Sequence, residues 1–245
     1  MLLSEVFQVH IIHPSVLWLR RGGCAGLLTA ALIAVLCLSA TAKPLFTSRE
    51  SIPSDAIVLF DGKDLSQWVK GDGSKPEWII EKGYAQPKGG DIQTKQDFSD
   101  CQLHLEFWIP TTPAAEGPER GNSGVFLNGA YEIQILDSYE QGEGIEAHGC
   151  GAIYDEKRPL VNATRPHGNW QTFDIIFHSP RFDAAGKKTE NARFTVLLNG
   201  VLIQDNAEAF APTRYHNTPD MAKGPVQIQD HGHPIRMRNI WIRPL

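Results

Sequence analysis

The sequence predicts an all-β protein built from two packed antiparallel sheets. Residues 101–110 (CQLHLEFWIP) alternate strictly, with apolar side chains at the odd positions, and residues 169–180 repeat the pattern. Two further apolar runs flank Asn199-Gly200, a pair that tolerates the positive φ angles of a two-residue hairpin turn. The 22 glycines and 16 prolines separate short runs of this kind, and no long segment has a helical period. Many short strands joined by turns predict a β-sandwich.

The first 42 residues predict a secretory signal peptide. Arg20-Arg21 precedes an uncharged stretch that ends in Ala40-Thr41-Ala42, the small-residue pattern of a cleavage site. An uncleaved anchor is the alternative, because the stretch is nearly as long as the roughly 20 residues that span a bilayer. The small-residue exit and the following Lys43-Pro44 favour cleavage after Ala42. We therefore expect a secreted or periplasmic protein without stable membrane insertion.

The remaining chain divides into a short tether, residues 43–54, and one domain, residues 55–245. The formal net charge of −5 argues against a nucleic-acid partner, because phosphates favour a basic surface. Cys101 and Cys150 remain after cleavage, and they form either one disulfide or two buried free thiols. Neither belongs to a C-x-x-C pair, so zinc binding and dithiol chemistry have no support.

The segment Tyr131–Ser138 (YEIQILDS) carries polar residues of an unusual kind for a strand. Glu132 and Gln134 share one face, while the isoleucines that follow each of them enter the core. Asp137 has the opposite parity, and a one-residue bulge after Gln134 would rotate it beside the other two. These side chains are either the centre of a site or simply solvated residues on an outer face.

The C-terminal segment supplies a second group of candidates. Asp230, His231 and His233 surround Gly232, and a histidine beside carboxylates in a glycine-permitted turn is a candidate base or ligand. Taken singly, each histidine is also compatible with an ordinary surface turn.

Other candidates are spread along the chain. Asn122 precedes the strand before Tyr131, and Glu106 and Trp108 are expected on the same sheet face as Glu132, where a tryptophan could stack on a sugar. His148 and Lys157 lie in loop-like stretches. The alternative roles are a turn residue for Asn122, packing for Trp108 and solvated connections for the loop residues.

Several segments together resemble a known family. The segments are LFDGKDLSQW, GNSGVFLNGAYEIQILDS, GAIYDEKRPLVNATRPHGNWQTFDIIF, LLNGVLIQDN and GPVQIQDHGHPIRMRNIWIRPL. In order and without a large gap, they resemble the 3-keto-disaccharide hydrolase domain family over about residues 55–245. The resemblance implies a concanavalin A-like jelly-roll sandwich, similar to lectins and endoglucanases. It also implies an enzyme whose partner is a carbohydrate.

The polar strand is also similar to the Glu-x-Asp-x-x-Glu strand of β-glucanases with this fold, but Gln134 and Asp137 depart from that pattern. A retaining glycosidase needs two carboxyl groups about 5 Å apart, so the departure disfavours ordinary double displacement. The family name implies instead that a base removes the C2 proton of a 3-keto-glycoside, that the aglycone leaves, and that water adds.

For this reaction we expect His231, or else Glu132, as the base, with Asp137 assisting it. Gln134 and Asn122 would donate hydrogen bonds to substrate oxygens. The expected substrate-binding residues are Asn122, Gln134, Glu106, Trp108, His148, Lys157 and His233. A divalent cation held by the three catalytic candidates is a further hypothesis without supporting ligand spacing. A conventional β-glucanase and a non-catalytic carbohydrate-binding module are the alternative functions.

Overall fold

The computed structural model describes residues 52–111, 120–144, 146–213 and 219–245. The expected signal peptide and the first part of the tether lie outside these ranges, and the described residues belong to a compact unit, Ser48–Leu245. Within the described ranges no helix is long and apolar enough to cross a bilayer.

The described residues form strands, with one 3-10 segment at Tyr139–Gly144. In chain order the strands are β1 (Ile57–Phe60), β2 (Trp68–Val69), β3 (Ile79–Glu81), β4 (Tyr84–Gln86), β5 (Ile92–Thr94), β6 (Cys101–Trp108), β7 (Ser123–Leu127), β8 (Tyr131–Ile135), β9 (Trp170–His178), β10 (Arg181–Phe182), β11 (Lys188–Glu190), β12 (Ala192–Leu198), β13 (Val201–Ala209), β14 (Gln227–Ile228) and β15 (Arg236–Pro244).

Two antiparallel sheets make up the domain. The larger sheet has eight strands in the order β13-β12-β9-β6-β15-β4-β3, and β1 pairs with β15. The smaller sheet has five strands in the order β2-β5-β14-β7-β8, and β10 and β11 form a separate ribbon. The predicted all-β, two-sheet jelly-roll sandwich is therefore confirmed.

The core lies between the two sheets and is built from the alternating residues of their strands. The larger sheet contributes Leu103, Leu105 and Phe107 from β6, all almost completely buried. The smaller sheet contributes Ile133 and Ile135 from β8. Since successive strand residues point to opposite faces, the residues between these point away from the core. Each sheet therefore presents one outward face, and the two outward faces lie on opposite sides of the sandwich.

The predicted hairpin at Asn199-Gly200 joins β12 to β13. Asn199 and Gly200 have φ angles of 55° and 81°, and Leu198 pairs with Val201 across the turn. Both central residues thus have the positive φ that this two-residue turn requires.

Candidate functional site

The outward face of the smaller sheet carries Glu132 and Gln134, as the alternation of β8 predicts. Glu132 is 6% exposed and Gln134 is 3% exposed, so other parts of the chain cover this face. The expectation of simple solvated side chains on an outer face is therefore wrong. The Gln134 side chain accepts a hydrogen bond at 3.1 Å from the Ile135 N–H through Oε1.

Gly124 on the neighbouring strand β7 determines where the Glu132 side chain lies. A Cβ atom at Gly124 would be 2.1 Å from Oε1 and 2.8 Å from Cδ of Glu132. No side chain fits at this position while the carboxylate stays in place. Gly124 pairs with Gln134 on one side, and its carbonyl accepts a hydrogen bond from the N–H of Gln229 on the other. The Glu132 carboxylate therefore lies over the second strand of the sheet, between β8 and β14.

Two more strands of the smaller sheet repeat the pattern of a polar residue, an isoleucine and a glutamine. Asp91-Ile92-Gln93 begins one residue before β5, and Gln227-Ile228-Gln229 ends one residue after β14, with the isoleucines paired and buried. Directly opposed residues of neighbouring strands share a face. Gln227 pairs with Gln93 and with Phe126, and Phe126 pairs with Glu132. The repeated triplets, which sequence reasoning missed, therefore extend the polar surface from β8 to β14 and β5.

We call this surface the amide face and define it by Asp91, Gln93, Gln227, Gln229, Gln134 and Glu132. Hydrogen bonds fix the positions of its side chains. The Asp91 carboxylate accepts a bond from Gln227 Nε2 at 2.9 Å and one from the Asp230 N–H at 2.8 Å. Asn122, one residue before β7, has the parity of Gly124 and lies at the end of this face, 9% exposed. Amide groups donate and accept hydrogen bonds, so the face suits a ligand rich in hydroxyl groups.

Asp137 follows the end of β8, and no bulge interrupts β8 itself. The β7–β8 register runs without a shift from Leu127–Tyr131 to Ser123–Ile135, where β8 ends. The Asp137 carboxylate is ion-paired with Arg120 and lies 3.1 Å from His167 Nδ1, and its side chain is only 3% exposed. The Asp137 carboxylate therefore has two basic partners, Arg120 and His167. Sequence reasoning missed Arg120 and His167, which no strand pattern marks.

Glu106 and Trp108 lie on the other side of the sandwich. Both belong to β6 and point outward from the larger sheet, so the expected shared face with Glu132 is wrong. Glu106 accepts hydrogen bonds from Arg238 Nε at 2.7 Å and from Asn239 Nδ2 at 3.0 Å. The Arg236 guanidinium packs 4.3 Å from the centre of the Trp108 ring. The alternation of β6 was predicted correctly, but alternation does not specify which sheet a strand joins.

The C-terminal histidines lie in the turn that follows β14, close to the amide face. Gly232 has a φ of 78°, and its N–H donates to Asp230 Oδ1 at 3.1 Å. The rings of His231 and His233 stack with centroids 5.9 Å apart. His231 is exposed to solvent. The turn begins two residues after Gln227-Ile228, so it leaves the sheet at the Asn122 end.

Lys157 and His148 lie beyond the outer edge of β8, near the segment that bonds to this edge. Lys157 closes a tight turn by exchanging backbone hydrogen bonds with Ile153 at 2.8 and 3.0 Å, and its side chain is exposed. His148 lines a hollow of about 450 Å³. The other residues around this hollow are Leu136, Gln141, Glu146 and Gly149. Leu136 comes two residues after Gln134, so the hollow adjoins the amide face.

The hypothesis of a cation held jointly by Glu132, Asp137 and His231 gains no support from the described residues. In the described ranges no group of three or more His, Cys, Asp or Glu side chains has a metal-binding arrangement.

Cys101 and Cys150 are buried free thiols, so the free-thiol alternative is the one that the structure adopts. Burial raises the pKa of each thiol to about 12.

The chain matches a known family. Residues 55–243 match the model of the 3-keto-alpha-glucoside-1,2-lyase-like domain, and the chain belongs to this family. A crystal structure of a "putative glycosyl hydrolase" from Parabacteroides distasonis is 42% identical, with a TM-score of 0.72, over 78% of this chain and 84% of that chain.

A second structure of that description from the same organism is 22% identical with a TM-score of 0.57, over 78% of this chain and 94% of that one, and it shows the shared fold. A comparison with curated proteins finds no match.

Proposed function

We propose that this domain is a carbohydrate-active enzyme that cleaves 3-keto-glycosides by elimination followed by hydration. Membership of a family described as 3-keto-alpha-glucoside-1,2-lyase-like supports the substrate class and the position of bond cleavage. The relative described as a "putative glycosyl hydrolase" supports the wider assignment to glycoside cleavage. The observation that carries the proposal is the Glu132 carboxylate, which lies over Gly124 within a face of amides.

The reaction follows from the ketone at C3. The hydrogen on C2 is acidic because the resulting carbanion is an enolate, so a general base can remove it. The enolate then expels the glycosidic oxygen from C1, and a double bond forms between C1 and C2. Addition of water restores the proton at C2 and places a hydroxyl at C1, so the products are the 3-keto-sugar and the free aglycone.

Glu132 is the base in this proposal. It accepts the C2 proton, exchanges it with solvent and then protonates C2 during hydration, so its carboxyl group ends each cycle in its starting state. Gln134 and Asn122 would donate hydrogen bonds to the C3 oxygen, where negative charge develops, or to ring hydroxyls. His231, expected first as the base, is the alternative at the Asn122 end of the amide face.

A conventional retaining glycosidase is the second candidate function, and the geometry favours it less. That mechanism requires a pair of carboxyl groups about 5 Å apart. Gln134, the next outward residue after Glu132 on β8, is an amide, and the Asp137 carboxylate pairs with Arg120 and His167 instead. A carbohydrate-binding module without catalysis remains the third candidate, because sandwiches of this type host both functions.

An isotope experiment in D₂O separates the three candidates. The purified domain is incubated with a 3-keto-disaccharide, and the released 3-keto-sugar is analysed by mass spectrometry and NMR. We expect release of the sugar with deuterium at C2, with free 3-keto-sugar and enzyme as the control for exchange after release. Release without deuterium at C2 would indicate direct displacement. Binding without any release would indicate a module that only recognises carbohydrate.

We further propose that the domain acts outside the cytoplasm, after cleavage behind Ala42. The charged pair, the apolar stretch and the small-residue exit of the first 42 residues support this proposal. Mass spectrometry of the N-terminal peptide from secreted or periplasmic material is the test, and a chain that begins at Met1 would contradict it.

A further inference from the structure

A histidine–carboxylate pair lies beside the amide face. The Nε2 atom of His148 is hydrogen-bonded to Oδ1 of Asp155, seven residues later. The His148 ring also packs against Tyr154, with ring centroids 4.9 Å apart. Asp155 has a φ of 62°, in the left-handed region, and its N–H donates to the Ala147 carbonyl at 3.2 Å. Two backbone segments thus fix the relative position of the pair.

The edge of β8 places this pair next to Glu132. Ile153 forms a bridge with Ile133, and both are completely buried in the core. The Tyr154 N–H donates to the Glu132 carbonyl at 3.1 Å. Since opposed residues of antiparallel segments share a face, Tyr154 lies beside Glu132 on the outward side. The His148 ring, packed on Tyr154, therefore borders the amide face.

The hollow that His148 lines is open to solvent and has a volume of about 450 Å³. Leu136 forms part of its wall and continues β8 beyond Gln134. A sugar bound in the hollow would therefore extend towards Gln134 and Glu132.

The contact with Asp155 determines which ring nitrogen can exchange a proton. A carboxylate at Nε2 accepts a hydrogen bond from that atom and so keeps a proton on it. The other nitrogen, Nδ1, is then the one that gives or takes a proton. The His148 side chain is 58% exposed, so a ligand in the hollow can reach the ring.

We propose that His148 is the acid that protonates the departing glycosidic oxygen, and this inference rests on the proposed function. As the bond between C1 and that oxygen breaks, the oxygen takes the proton from Nδ1, and His148 becomes neutral. In the hydration step Nδ1 accepts a proton from the water that attacks C1, while protonated Glu132 donates a proton to C2. Asp155 is a positioning residue that holds the ring and its tautomer.

Two substrates that differ only in leaving group test this assignment. A 3-keto-disaccharide releases a sugar alcohol oxygen, which needs protonation. A 4-nitrophenyl 3-keto-glucoside releases a phenolate, which leaves without it. For His148→Gln we expect kcat/KM to fall by about 10²- to 10³-fold on the disaccharide and by less than about tenfold on the nitrophenyl substrate. Asp155→Asn is expected to lose less on the disaccharide, and its effect should not add fully to that of His148→Gln.

His178→Gln is the matched control. His178 lies 3.3 Å from Asp100 at the end of β9 on the other sheet, and 49% of the His178 side chain and 16% of the Asp100 side chain are accessible. We expect this variant to keep both activities. Thermal unfolding of all variants separates a folding defect from a catalytic one.

Equal losses on the two substrates by a folded His148→Gln variant would overturn the assignment, since they would indicate substrate binding or structure. Unchanged activity on both would overturn it as well. If the unmodified enzyme turns over neither substrate, the proposed function fails first and the role of His148 falls with it.

Discussion

The outward faces of the two sheets each contain a buried glutamate on a strand, and the two glutamates have different surroundings. Glu106 on the larger sheet is 4% exposed and lies 2.6 Å from Arg238 Nη2. Glu132 on the smaller sheet is 6% exposed and lies over Gly124, on a face of amides next to a hollow. Burial alone therefore does not distinguish a structural carboxylate from a candidate catalytic one.

The neighbouring strand of each glutamate differs. Arg238 and Asn239 of β15 donate hydrogen bonds to the Glu106 carboxylate, which therefore links β6 to β15. The Glu132 carboxylate lies over Gly124 of β7, which has no side chain. The larger sheet uses its outward charge for stability, and we infer that the smaller sheet uses it for chemistry.

The largest expected effect is the loss of activity in Glu132→Gln. Removal of a general base typically costs about 10²- to 10⁴-fold, so we expect kcat/KM on a 3-keto-disaccharide to fall within this range. Glutamine keeps the shape of the side chain, and a thermal unfolding curve checks that the variant is folded. Retained activity would contradict the role of Glu132 as the base and favour His231.

Gly124→Ala tests the same carboxylate through its position. The new methyl group would lie 2.1 Å from Glu132 Oε1 and must displace it. Because a shift of about 1 Å can cost about 10²-fold, we expect a loss of up to that size in kcat/KM. Gly71→Ala is the matched control, since nothing lies within 4 Å of a Cβ atom there. Equal activity of both variants would show that the Glu132 position is not critical.

Glu106→Gln is expected to affect stability instead. It removes the charge that pairs with Arg238, and a charge-assisted hydrogen bond of this kind contributes about 2 kcal/mol to the free energy of unfolding. Urea denaturation measures the loss, and kcat should remain normal at temperatures where the variant is folded. A large fall in kcat of the folded variant would place chemistry on the larger sheet as well.

The smallest expected effect concerns the thiols of the core. Burial raises the pKa of Cys101 and Cys150 to about 12, so almost no thiolate forms at pH 8. We expect iodoacetamide to leave both residues unmodified in the native protein and to label both after denaturation, as read by peptide mass spectrometry. Rapid labelling of the native protein would show that the two-sheet core opens.

Strand alternation and turn residues predict the fold class from the sequence alone. The odd residues of β6 and the isoleucines of β8 enter the core as predicted, and Asn199-Gly200 forms the predicted turn. These features are local, because a period of two and a positive φ depend only on neighbouring residues. The same alternation correctly placed Glu132 and Gln134 together.

Only the tertiary structure decided which of the polar residues meet. Glu106 and Glu132 have the same pattern in the sequence, but the strand order places them on opposite sides of the sandwich. Asp137 turned towards Arg120 and His167, which are 17 and 30 residues away in the chain. Contacts between distant residues depend on strand order and packing, and these are set by the burial of the whole core rather than by any short motif.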